Sequence, residues 1–131
     1  MSISKDFRIH LDDLDFGGIV SHYNWLRLME RHRTDLLRDD WKKLISNGFG
    51  MVIVNIDVQY QRPARYDDEI EVKIRITDLK NSSFSAEHIF TDKKSGKVCV
   101  SGVLTFAVVS LKTNKAVEIT PEFRQILEKL R

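Results

Sequence analysis

Phe7, Ile9 and Leu11 alternate with Arg8, His10 and Asp12, a period of two that predicts a first strand with one buried face. From His22 to Leu37 the period changes to that of a helix. Trp25, Leu26, Leu28, Met29, Leu36 and Leu37 fall on one arc, with Asn24, Arg27, Arg31, Thr34, Asp35 and Arg38 opposite. His22, His32 and Arg33 project onto the apolar arc, where buried polar groups need partners. Trp41 to Asn47 reads as a short helical turn stopped by Gly48. A second strand runs from Met51 to Arg62, with Val52, Val54, Ile56, Val58 and Tyr60 forming an apolar face that alternates with Ile53, Asn55, Asp57, Gln59 and Gln61. Pro63, which cannot donate a ladder hydrogen bond, ends it.

Glu69 to Thr77 repeats the alternation, with Ile70, Val72, Ile74 and Ile76 facing inward. Asp78 to Ser82 is turn-like, Phe84 to Asp92 is a strand, Lys93 to Lys97 is a hairpin loop containing Gly96, and Val98 to Ser110 is the last strand. Val103 to Val109 is apolar on both faces apart from Thr105, which predicts a central strand covered on both sides. Thr120 and Pro121 open a short amphipathic helix through Phe123, Ile126, Leu127 and Leu130. Short connections favour antiparallel neighbours, and one amphipathic helix can cover one face of such a sheet. The expected class is therefore α+β: a five-stranded antiparallel sheet wrapped around one long central helix, with a short C-terminal helix. The Met51–Arg62 strand makes a natural edge, and a long edge is normally paired, so dimerisation through it is expected.

A length of 131 residues fits one domain, residues 1–131. Twenty-one basic and 19 acidic residues, interspersed, give a net charge of +2, which suggests no nucleic-acid footprint and leaves room only for a local basic rim. The single cysteine, Cys99, excludes an internal disulfide framework and reads as a small buried strand residue. No run of about 18 apolar residues predicts a membrane insertion, and the N-terminus has no apolar stretch of a signal peptide, so a cytoplasmic location is expected. His10, His32 and His88 do not form a spaced ligand cluster, so no metal site is expected. Phosphate-loop, dinucleotide-binding and nucleophile-elbow signatures are absent.

The chemistry concentrates between Asp13 and Glu30. Asp15 is followed by Phe16, Gly17 and Gly18, which permit a tight turn, and a helix starts near Ser21. The first N–H groups of a helix lack internal partners and carry the positive end of its dipole, so they can hold an oxyanion. A carboxylate thus precedes an electrophilic site. The alternative for Asp15 is a turn aspartate that caps the following amides. Asp13 reads as a structural support of the loop, and Glu30 as a structural carboxylate paired with Arg33 unless Arg33 belongs to a protomer contact.

Asp13, Asp15, Gly18, Val20 and His22, followed by Trp25, Glu30-Arg31 and Arg33-Thr34 and then by Pro63 to Val72, resemble the signature of hotdog-fold acyl-CoA thioesterases of the 4-hydroxybenzoyl-CoA type. The wording is closest to the Tol-Pal-associated members. The resemblance implies Asp15 as catalytic carboxylate, either nucleophile or general base, and the backbone N–H of His22 or a neighbour as oxyanion donor. It also implies a substrate site around Gly18, Ile19, Val20 and Trp25, and a pocket between two protomers of a homodimer or homotetramer. Coenzyme A phosphates would lie on basic residues at the rim, with Arg62 and Arg65 as candidates and Lys112 and Lys115 behind them. Tyr23 and Trp25 stand where a smaller residue and a tyrosine are common, which bears on acyl preference.

The implied activity is cofactor-free hydrolysis of a short- or medium-chain or aromatic acyl-CoA to a free acid and coenzyme A. Two other readings use the same groove: a non-catalytic module that binds acyl-CoA or acyl carrier, and a thioester dehydratase or isomerase. The last lacks its usual histidine and Pro-Gly-rich helix entry.

Overall fold

The computed structural model describes residues 1–131. Its elements are β1 (Ile3–Arg8), α1 (His22–Leu36), α2 (Arg38–Ser46), β2 (Phe49–Tyr60), β3 (Glu69–Leu79), β4 (Ser83–Asp92), β5 (Val98–Ser110) and α3 (Pro121–Lys129). The strands form one antiparallel sheet in the order β1-β3-β4-β5-β2, so β2 is an edge, as expected. Thr120 caps α3 by accepting from the N–H of Phe123, with Pro121 in the first turn.

One face of the sheet is buried. Ile70, Val72, Ile74 and Ile76 of β3, Phe84, Ala86 and Phe90 of β4, and Val100, Leu104, Phe106 and Val108 of β5 form one core with Trp25, Leu28 and Met29 of α1 and with Phe123 of α3, whose ring meets that of Phe84. Each of those helical side chains contributes about 1.5–3 kcal/mol on burial. The Trp25 ring lies 5.0 Å from that of Phe90. The Met29 side chain ends over Gly102 of β5, where an added Cβ would stand 2.9 Å from its Cε.

Several sequence expectations need correction. The first strand begins at Ile3 and ends at Arg8; Leu11 lies instead in a 3₁₀ turn, Leu11–Asp13, with its side chain exposed. Asn24, assigned to the polar arc, is buried because its side-chain N–H₂ donates to the Asp13 carbonyl at 2.8 Å, whereas His22 is exposed at the helix start. The short turn after α1 is a nine-residue helix that buries Trp41 and Leu44. In β5 only the face bearing Leu104, Phe106 and Val108 is fully buried; Val103, Ala107 and Val109 are half-covered.

The largest correction concerns β2. A bulge between Ile53 and Asn55 shifts the register against β5. Ile53 then joins Ile56, Val58 and Tyr60 on the face of Phe106, Leu104, Gly102 and Val100, while Val52 sits opposite Ala107 on the other face. A strict alternation cannot show an inserted residue. On this edge strand Val52, Ile53, Val54, Ile56 and Tyr60 are 42–61% exposed, whichever face they occupy.

Two buried histidines are held neutral. Burial, aided by the Lys5 charge, lowers the pKa of His32 from 6.5 to about 4 against the opposing pull of Asp35 and Asp13; burial and the Arg33 charge lower that of His88 to about 3. The unfolded chain binds these protons below its ordinary histidine pKa while the folded chain refuses them, so stability is lost as the pH falls from about 6.5 towards about 3. Urea midpoints measured at about pH 7 and about pH 5 are expected to fall with pH, and His32→Leu is expected to flatten part of that slope. An equal slope in the variant would remove His32 from the cause.

Candidate active site

The turn before α1 is built by local bonds. The Asp15 N–H donates to the Ile19 carbonyl at 2.8 Å and the Gly18 N–H to the Asp15 carbonyl at 3.0 Å, with Leu14 and Val20 bridged behind them. Gly18 has φ +78°, a left-handed conformation that favours glycine. The exposed Asp15 carboxylate accepts from the Gly17 N–H at 2.7 Å through Oδ1. Phe16 at the tip is fully exposed, Ile19 is half-buried and Val20 is buried.

Ser21 caps α1, its hydroxyl accepting from the Asn24 N–H at 3.3 Å, and the Trp25 N–H donates to the Ser21 carbonyl at 3.2 Å. The N–H groups of His22 and Tyr23 have no partner in the chain. Two open amides therefore follow the carboxylate at the positive end of a fifteen-residue helix. The His22 ring stands edge-on to that of Tyr23, 5.5 Å between centroids, and makes no hydrogen bond to Asp15.

The supports of this turn come from two sides. Asp13, almost fully buried, accepts from the His10 N–H at 2.8 Å and from Arg27 at 3.1 Å, which agrees with a structural role. His10, Asp12 and Asp13 bring ligand-type atoms within 4.8 Å of one another, a grouping that histidine spacing did not suggest, but both Asp13 oxygens already serve these two donors. On the other side, the segment after β2 is fastened to the turn. The Val20 N–H donates to the Ala64 carbonyl at 3.0 Å, and the Tyr60 hydroxyl to the His22 carbonyl at 2.9 Å. Neither Tyr60 nor Ala64 was expected at the site from the sequence; Pro63 between them marked only the end of the strand.

Trp25, expected to shape an acyl pocket, is instead a core side chain, 2% exposed. Arg62 lies within the fastened segment and Arg65 just beyond it, both exposed and free of ion pairs, while Lys112 and Lys115 lie exposed in the turn after β5. The expected Glu30–Arg33 pair does not form. Arg33 is buried, donates to His88 Nε2 at 3.0 Å and lies 4.8 Å over the Phe106 ring, because the helix turns it inward and Glu30 outward. Burial lowers its pKa to about 10, opposed by the Glu30 charge.

Glu30 and Arg33 open instead onto a mainly apolar groove of about 860 Å³, bordered by Leu44, Met51, Ile53 and Phe106. Asp15, Gly18, Ile19, Val20 and His22 lie outside its lining.

Residues 9–127 match the family model described as "Thioesterase-like superfamily". The chain belongs to this superfamily. Among relatives of this thioesterase, the long-chain acyl-CoA thioesterase FadM of Escherichia coli (strain K12) is 29% identical over 119 residues, covering 89% of this chain and 90% of that protein. The acyl-CoA thioester hydrolase YbgC of Escherichia coli O6:H1 is 28% identical over 124 residues, covering 90% and 92%. The crystal structure of YbaW, a probable thioesterase from Escherichia coli, superposes with a TM-score of 0.86 at 26% identity, covering 97% of each chain. The sheet and long helix of this thioesterase are those of the hotdog fold.

Gly18→Ala forces a side chain into the left-handed region at φ +78° and is expected to cost about 1–2 kcal/mol in urea unfolding. An unchanged midpoint would show that the turn has another conformation within easy reach.

Proposed function

We propose that this thioesterase hydrolyses acyl-CoA, with Asp15 as nucleophile or general base and the open amides of His22 and Tyr23 as oxyanion donors. The observation that carries this reading is the exposed Asp15 carboxylate held by a glycine turn directly before those two unpaired N–H groups. Hydrolysis of a thioester needs an activated nucleophile and a hole for the developing oxyanion. A carboxylate, two amides and water meet that need with no metal or cofactor beyond the coenzyme A of the substrate. The relatives named for acyl-CoA hydrolysis support the choice of thioester.

The active unit in this reading is a dimer formed by antiparallel pairing of two β2 edges, in a homodimer or, by packing of two dimers, a homotetramer. The start of β2 borders the apolar groove, while its end carries Tyr60, bonded to the catalytic turn. A two-fold axis across β2 brings the end of one strand to the start of the other, so each turn faces the groove of its partner. The same pairing covers the exposed Ile53, Ile56 and Tyr60 and satisfies the edge. The groove has the size of a small-molecule site and suits an apolar acyl group, with Arg62 and Arg65 towards the phosphates and Gly18, Ile19 and Val20 beside the thioester. A cytoplasmic location belongs to the proposed reading, because coenzyme A thioesters are made and used there. Separately, no helix is long and apolar enough to cross a membrane.

Thiol release from short, medium, long and aromatic acyl-CoAs, with Asp15→Asn run beside the wild type, tests the chemistry. Loss of about 10²–10⁴-fold in the variant is expected. Full activity in Asp15→Asn, or acyl-CoA binding without turnover by the wild type, would replace the enzyme reading with a binding module. Ile56→Asp is expected to give a monomer in sedimentation and to abolish hydrolysis. A fully active monomer would overturn the shared pocket.

A further inference from the structure

We propose that Tyr60 is a positioning residue for the oxyanion site, acting through the His22–Tyr23 peptide; the inference rests on the function proposed above. The Tyr60 hydroxyl donates to the carbonyl of His22 at 2.9 Å. That carbonyl and the N–H of Tyr23 belong to one conjugated amide, and the Tyr23 N–H is one of the two open donors. Donation to the oxygen draws electron density from the nitrogen, leaving its N–H a stronger donor towards an oxyanion. The bond also fixes the plane of the peptide, so the N–H aims in one direction before substrate arrives. Preorganisation of this kind is where an oxyanion site derives its effect.

The fold does not need this bond for its own assembly. β2 is held in register by its pairing with β5 from Phe49 to Tyr60, and the helix start is already capped by Ser21. Val20 is tied separately to Ala64. Tyr60 is half-exposed, so its ring adds little to the core of one chain. What the hydroxyl uniquely touches is the carbonyl behind a free amide. The other open donor, the His22 N–H, belongs to the Ser21–His22 peptide, whose carbonyl accepts only the ordinary helical bond from Trp25. The two donors are therefore unequal, and the Tyr23 N–H is the polarised one. Tyr60 also stands on the edge strand. Covering that edge removes water from around the bond and strengthens it, so assembly tunes the donor as well as enclosing the groove.

Tyr60→Phe, in the full-length protein and with the acyl-CoA that the wild type turns over best, is expected to lower kcat about three- to tenfold while KM stays within about twofold, less than the 10²–10³-fold cost of deleting a donor outright. Its unfolding midpoint and sedimentation should match the wild type, and in protein labelled with ¹⁵N-tyrosine the Tyr23 amide resonance should move. Fluorinated tyrosines placed at position 60, read at a pH where the phenol stays protonated, should raise kcat as donor acidity rises. Wild-type kcat in Tyr60→Phe, alongside an inactive Asp15→Asn, would overturn the role of Tyr60 and leave the proposed function intact. A lower kcat with an unmoved Tyr23 amide and a lower unfolding midpoint would assign Tyr60 a merely structural part and overturn the proposal too. A wild type that hydrolyses no acyl-CoA would bring down both.

Discussion

Packing of Trp25, Leu28 and Met29 against the buried face of the sheet decides where the first turn of α1 stands, and the site depends on that position. A helix start supplies open amides wherever it occurs. This one is set apart by what is fixed beside it: a carboxylate on a glycine turn, a buried Asp13 behind, and the strap after β2 in front. The core thus acts as a jig for a site made almost entirely of backbone. Gly102 leaves room on β5 for the end of the Met29 side chain, which an added Cβ would have to displace.

The helix also carries polar groups into the interior. Arg33 has a neutral histidine and an aromatic face for company, and both buried histidines are kept neutral by the same burial. An ionised guanidinium without a carboxylate is costly inside a protein. Here the guanidinium also borders the groove, so the groove and the buried charge occur together at the far end of α1.

Much of this could be read from the residues because it is local. Ile70, Val72, Ile74 and Ile76 alternate without interruption in a strand that has one face buried and no neighbour to disturb the count before the bulge at its end. Asp15, Gly18 and Ser21 announce a turn and a cap through chemistry that acts over a few residues. β2 was misread at Val52 and Val54 because a bulge changes the face of every later side chain without altering composition. Asn24, Arg33 and Tyr60 were out of reach for another reason. Their partners, Asp13, His88 and His22, lie 11, 55 and 38 residues away, and nothing in a single chain's periodicity ties such positions together.

The strap between β2 and β3 has one more consequence. Tyr60 and Ala64 both grip the turn, four positions apart, with Pro63 between them. Exposed connections ordinarily accept added or missing residues. This one is divided: up to Ala64 its length is a ruler against which Asp15 is placed, and a single inserted residue would shift the carboxylate relative to the edge strand. Beyond Ala64 the chain is gripped again, the Asp67 N–H donating to the Ile9 carbonyl at 2.9 Å and the Ile9 N–H to the Asp68 carbonyl at 3.0 Å, so this half is measured against the end of β1. An added or missing residue is therefore costly on both sides of that alanine, towards the turn before it and towards the end of β1 after it.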